Sequence, residues 1–247
     1  MKTRILYLLL ALSLVLPELK AKVNDSVDAV LKELDAVIQQ KDKYTLPKEA
    51  ELTVLRSRLK HAKDSRQKYE LCDKLFSSYL HYQADSALAY VEKKRELLPL
   101  LNEPLLEQEL IINSAEVMGV MGMYSWAEEL LSQVKPETLT SSLLGYYYRT
   151  VRANYGWFAD YLINKDLKEY YQTQAHIYRD SIMITTTPGI DHDIVEAEKL
   201  MVEGEIDRSM EILNRLSENN PDLRQQAFIN YTLAEIYGLQ GDVDSQI

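Results

Sequence analysis

The chain has 247 residues, 46% hydrophobic and 27% charged, with only 8 glycines and 7 prolines. That composition excludes disordered, collagen-like and Pro- or Gly/Ser-rich linker classes, and it leaves too few turn-formers to join many short strands. A formal charge of −10 repels phosphates and anionic lipid, which disfavours nucleic acid or a membrane surface as a partner of the whole chain.

In chain order, the first segment reads as an address. Lys2 and Arg4 precede an apolar run from Ile5 to Leu16, closed by Pro17, Glu18 and Lys20. A run of 12 residues is short of the ~20 that a membrane-spanning helix needs. A charged start, a short apolar stretch and the small Ala21 predict an export signal over 1–21. Leu19 at the −3 position leaves the cleavage point open, and an N-terminal core helix is the alternative reading. No cysteine follows the run, so a bacterial lipoprotein anchor is excluded. Loss of Lys2, Arg4, Lys20 and Glu18 takes the charge from −10 to about −12. The expected location of the mature chain is the periplasm.

Helical periodicity starts next. Val27, Val30, Leu31, Leu34, Val37 and Ile38 recur at three and four, with Asp25 or Ser26 as N-cap. Leu52, Leu55 and Leu59 form a second stripe behind Pro47, read as a helix start. These predict an N-terminal helical hairpin over 22–66. Arg56, Arg58, Lys60, Lys63, Arg66 and Lys68 spread around more than one helical face and read as solvated surface. Cys72, the single cysteine, sits at core spacing among Leu71, Leu75 and Phe76 and reads as a buried, inert thiol.

A period then emerges. Ala197, Gly204, Ser209, Leu213, Leu216 and Pro221 fall at positions 8, 15, 20, 24, 27 and 32 of a 34-residue frame. Ala115, Gly122, Ala127, Leu131 and Val134 repeat it; Leu75, Tyr82, Ala87 and Val91 do so loosely, and Leu233, Ala234, Tyr237 and Gly241 begin it again. Small residues at 8 and 20 let two antiparallel helices touch, glycine suits the turn at 15, and proline ends the second helix. The pattern resembles the tetratricopeptide repeat (TPR). It implies an all-α, right-handed solenoid of antiparallel helix hairpins, with units near 67–104, 105–140, 141–187, 188–222 and 223–247. The third unit matches poorly and is read as helices Ser142–Leu162 and Asp166–Met183, with a loop at Thr185–Gly189. An irregular helical bundle is the alternative. The last unit stops at Ile247, partway through its second helix. That predicts a fragment of a longer protein, with Ala234, Ile236 and Tyr237 partly uncovered.

Several stretches carry a closer resemblance: Leu31–Asp35, Lys43–Tyr44, Lys48–Glu49, Tyr69–Leu71, Lys74–Phe76, Tyr82–Leu88, Gly119–Tyr124, Tyr155–Trp157 and Tyr178–Ser181. Together they resemble a Bacteroidetes-type family of exported TPR proteins. Its members are grouped under a domain of unknown function and often labelled transcriptional regulators. The resemblance spans nearly the whole mature chain. It implies that fuller relatives continue into more repeats, a spanning helix in the inner membrane, a coiled coil and a cytoplasmic regulatory region. It brings no catalytic residues.

The residues themselves show no catalytic constellation. Asp191–His192–Asp193 follows Pro188–Gly189 and reads as a helix cap rather than a metal site. No His-Glu-x-x-His, phosphate loop or nucleophile elbow occurs, so no enzyme, cofactor or metal is expected. The register instead places Tyr69, Glu109, Asp191 and Phe228 at position 2, and Phe76, Glu116, Glu198 and Glu235 at position 9. These predict an acidic concave face with aromatic ends, suited to a basic or amphipathic protein segment. Ten of the chain's 22 aromatics lie between 146 and 178. Within them Tyr147, Tyr155 and Trp157 are either core or a peptide- or sugar-binding cluster. The expected function is a non-enzymatic extracytoplasmic interaction module, the sensing or docking part of a membrane-associated regulator. A periplasmic assembly scaffold or a glycan- or peptide-binding helper is the alternative.

Overall fold

The computed structural model describes residues 28–185, 187–219 and 222–241; the expected export signal, Val27, Pro221 and the last six residues lie outside them. No strand occurs among the described residues. Residues 28–39 form α1. There follow α2 (Asp42–His61), α3 (Ser65–Tyr79), α4 (Ala84–Leu101), α5 (Pro104–Val120) and α6 (Tyr124–Leu131). After a 3₁₀ turn at Pro136–Thr138 come α7 (Ser141–Tyr161), α8 (Lys165–Thr185), α9 (Ile190–Val202), α10 (Ile206–Glu218) and α11 (Leu223–Gln240). No helix among the described residues is long and apolar enough to cross a membrane. The described residues fall into two compact units, one of 49–221, the other of 28–48 with 222–241.

The larger unit is a run of helix pairs. Short connections fold α3 onto α4, α5 onto α6, α7 onto α8 and α9 onto α10, and α5 also packs on α7. The repeat frame explains the pairing. Ala87, Ala115, Ala127, Ala197 and Ser209 have no solvent exposure, because the partner backbone covers them. Ser209 Oγ donates to the Ala197 carbonyl at 2.7 Å, so position 20 of one helix touches position 8 of the other. Gly122 and Gly204 turn the chain between helices with φ of 79° and 82°, where a side chain would be strained.

The pair α7/α8 solves the same problem with large residues. Tyr147 and Tyr148 meet Tyr178, and Tyr155 meets Tyr171 and Tyr178, at centroid distances of 5.4–6.5 Å. Rings replace the small-residue contact, which is why the consensus fades there. Of the loop expected at Thr185–Gly189, Thr185 still belongs to α8, residues 187–189 are non-helical, and Thr186 lies outside the described residues.

Two expectations change. Pro47 lies inside α2 and does not start it. The opening turn is wound by i→i−3 bonds, from Lys43 N to the Gln40 carbonyl and from Tyr44 N to the Lys41 carbonyl. In the smaller unit, the stripe Val30, Leu31, Leu34, Val37 and Ile38 is helical but exposed, whereas Ile236 on α11 is fully buried and Ala234 and Tyr237 half-buried. Leu52 and Leu55 do enter the core beside α3 and α4.

Overpacking tests the small-residue contact. Ala115→Leu is expected to cost about 2 kcal/mol in urea denaturation, against less than about 0.5 for Leu at the exposed Ala89.

Candidate functional site

The first helices of the pairs, α3, α5, α7 and α9, are tied to one another by polar side chains. The strongest tie comes from a lysine at an apolar position. Lys94 on α4 falls at position 27 of its frame, where Leu216 and Val134 sit in the sister repeats, and it has no solvent exposure. Its ammonium donates to Asp73 Oδ1 at 2.5 Å, Glu109 Oε1 at 2.6 Å and Asn113 Oδ1 at 2.7 Å. Three protons thus meet three acceptors, on α3 and α5. The same ammonium lies 4.6 Å from the Tyr69 ring centroid and 5.7 Å from that of Phe76, within cation–π range. A buried ammonium is tolerated only when paired this completely.

The network continues across α5. Asn113 Nδ2 donates to the Tyr146 hydroxyl at 2.9 Å, and that hydroxyl donates to Glu116 in a short hydrogen bond. Burial, then Glu116, pushes the Tyr146 phenol well above its ordinary value. Tyr69 donates to Glu109 at 3.3 Å, and burial followed by Glu109 raises it too. Asp73 and Glu109 thus hold Lys94, and Glu116 holds Tyr146.

Farther along, Arg152 on α7 pairs closely with the Glu198 carboxylate on α9. Arg179 on α8 is 6% exposed and reaches the Glu198 carbonyl at 3.5 Å. Burial, then Arg152, holds Arg179 below the usual guanidinium range.

The expected face residues are distributed as follows. Tyr69 and Phe76 are each 3% exposed, packed against Lys94, so they are closed to a partner. Glu109 serves Lys94, Glu116 serves Tyr146, and Glu198 serves Arg152. Asp191 is exposed in the first turn of α9. Phe228 and Glu235 are exposed on α11, which belongs to the smaller unit. Of the expected acidic residues, Glu109, Glu116 and Glu198 are engaged by neighbouring side chains, and Asp73 joins Glu109 on Lys94.

The aromatic expectation divides too. Tyr147 is buried and Tyr155 half-buried in the α7/α8 seam. Trp157 lies over Gly119, where a Cβ would come within 3.2 Å of the ring, so glycine admits the tryptophan. The open aromatics are elsewhere. Trp126 is 55% exposed and Tyr161 76%, beside a shallow cleft lined also by Gly122, Met123, Tyr124 and Phe158. Trp126 sits one residue before the buried Ala127, which turns it outward, and that offset is visible in the repeat frame.

His192, Asp193 and Glu196 bring one ligand atom each within 4.8 Å of one another. Arg215 reaches the Asp193 carboxylate at 3.3 Å. The N-cap of α9 is Gly189, so Asp191 and Asp193 occupy the first turn instead of capping it. There they complement the positive helix end. Cys72 is 1% exposed, and burial pushes its thiol up.

A family model described as the SusR N-terminal TPR domain matches residues 38–247. No curated protein and no solved structure matches the chain.

The raised phenols give a pH signature. Below the usual phenol pKa near 10, Tyr69, Tyr146, Tyr147 and Tyr155 are protonated folded or unfolded. Above it only the unfolded state loses protons, so stability falls as pH rises through that range. Tyrosinate absorbance is expected to lag for these groups and to jump with loss of helicity. Titration of all 17 tyrosines near pH 10 with helicity intact would contradict the assignment.

Proposed function

The chain belongs to the family of SusR N-terminal TPR domains, and on that premise we propose that it docks a basic protein segment as the extracytoplasmic part of a membrane-associated regulator. TPR domains mediate protein–protein contact, and catalysis has no part in this reading. The observation that carries it is the cluster of Asp73 and Glu109 on Lys94, with Glu116 on Tyr146 next to it. Asp73 keeps 44% of its side-chain surface open and Glu109 25%. The cluster is preorganised, so a partner's Lys or Arg side chain meets oxygens already held in place. The apolar run Ile5–Leu16 supports export, and the repeat family supports an anchored, longer regulator as the setting. A second reading, a helper that binds glycans or peptides, draws on the open aromatics Trp126 and Tyr161.

Binding of basic, neutral and acidic peptides by fluorescence anisotropy tests the docking. Asp73→Asn keeps an acceptor for Lys94 and removes a charge, and it is expected to weaken the basic peptide about fivefold, with steep salt dependence. Equal affinity for all three peptides, or an unaffected Asp73→Asn, contradicts the reading. For export, alkaline phosphatase fused after the first 30 residues or so is expected to be active outside the cytoplasm. Preferred binding of oligosaccharides, lost on Trp126→Ala, favours the second reading.

A further inference from the structure

We propose that Arg152, Arg179 and His176, at the junction of α7, α8 and α9, form a binding site for a small oxyanion, a carboxylate or a phosphate. The carboxylates there are taken up by Arg152 and Lys199, which leaves Arg179 without an ion pair among the described residues. Two guanidiniums and an imidazole gather there with Glu198, Asp180 and Glu203; Arg152 already engages Glu198, and Lys199 engages Glu203 at 3.8 Å. Asp180, the neighbour of Arg179 in sequence, is drawn off by Lys199 at 3.2 Å. Among the described residues no carboxylate oxygen comes within ion-pairing distance of Arg179.

Arg179 is nevertheless more than nine-tenths buried. Its Nε has no hydrogen-bond partner, and its one hydrogen bond is the long one to a neutral carbonyl. A guanidinium in that position loses water and gains little in return. Its planar fork matches the two oxygens of a carboxylate or phosphate. Arg152 keeps 32% of its side-chain surface open and His176 is half-buried, so the site reaches solvent on that side. Among the described residues His176 makes no hydrogen bond, leaving a ring nitrogen for the ligand.

His176 adds a pH dependence. It faces Arg179 and Asp180 from α8 and Arg152 from α7, with Glu198 and Lys199 across on α9. Burial and the two guanidiniums keep it neutral near pH 7, and Asp180 opposes them only in part. A bound anion favours the protonated ring, so by linkage the anion binds more tightly as pH falls. This site takes the charge opposite to that of the basic segment and stands or falls independently of it.

The test titrates the full chain with sodium phosphate and, separately, sodium acetate at constant ionic strength, following the Arg179 Nε–H resonance by NMR. A saturable shift is expected, and the stronger of the two salts identifies the oxyanion class. Arg152→Gln is expected to weaken binding about tenfold, the value of one charge-assisted hydrogen bond. Glu198→Gln removes the competing carboxylate and is expected to tighten it by a similar factor. Lowering the pH from about 7.5 to about 5.5 tightens binding in the native chain and not in His176→Gln. If Glu198→Gln fails to fold, the Arg152 and His176 variants decide. A shift that never saturates, one unchanged in Arg152→Gln, or one weakened in Glu198→Gln overturns the proposal.

Discussion

An ammonium removed from water must find its partners inside the protein, and Lys94 finds them on two other helices. Asp73 comes from α3, and Glu109 and Asn113 come from α5, while Lys94 itself stands on α4. One charge thereby fixes the spacing of two consecutive repeats. Asn113 passes the constraint to Tyr146 and so to α7. The acidity proposed for partner recognition follows from the same requirement. The carboxylates that hold Lys94 outnumber it, and the excess is what a basic segment would meet.

Helix pairing rests on a different constraint, the distance between backbones. Ala115 and Ala127, or Ala197 and Ser209, let neighbouring helices touch. Between α7 and α8 the tyrosine rings pack edge to face and tilted against one another. Both arrangements continue the same stack, so the chain tolerates a repeat whose consensus is nearly lost.

These two constraints explain what was legible in the sequence. Small and glycine positions repeat with a fixed period, so the hairpins, their turns at Gly122 and Gly204, and the inert Cys72 could be read directly. The face residues were found but their state was not. A register places Glu198 on a surface but says nothing of Arg152, 46 positions away, which neutralises it. Tyr69 and Phe76 were read as open because position 2 and position 9 are commonly so; Lys94, reaching across from the second helix, closes them. A lysine where the sister repeats carry Leu216 and Val134 was the available signal. The aromatic density between 146 and 178 belonged mostly to packing, and only the offset of Trp126 from Ala127 marked an outward ring.

The most direct test of the account is a double-mutant cycle between Lys94→Met and Glu109→Gln, read by urea denaturation with helicity checked in each variant. If the buried ammonium ties α4 to α5 through that carboxylate, the two changes couple by about 2 kcal/mol or more. A coupling below about 0.5 kcal/mol, the level of independent sites, would contradict it.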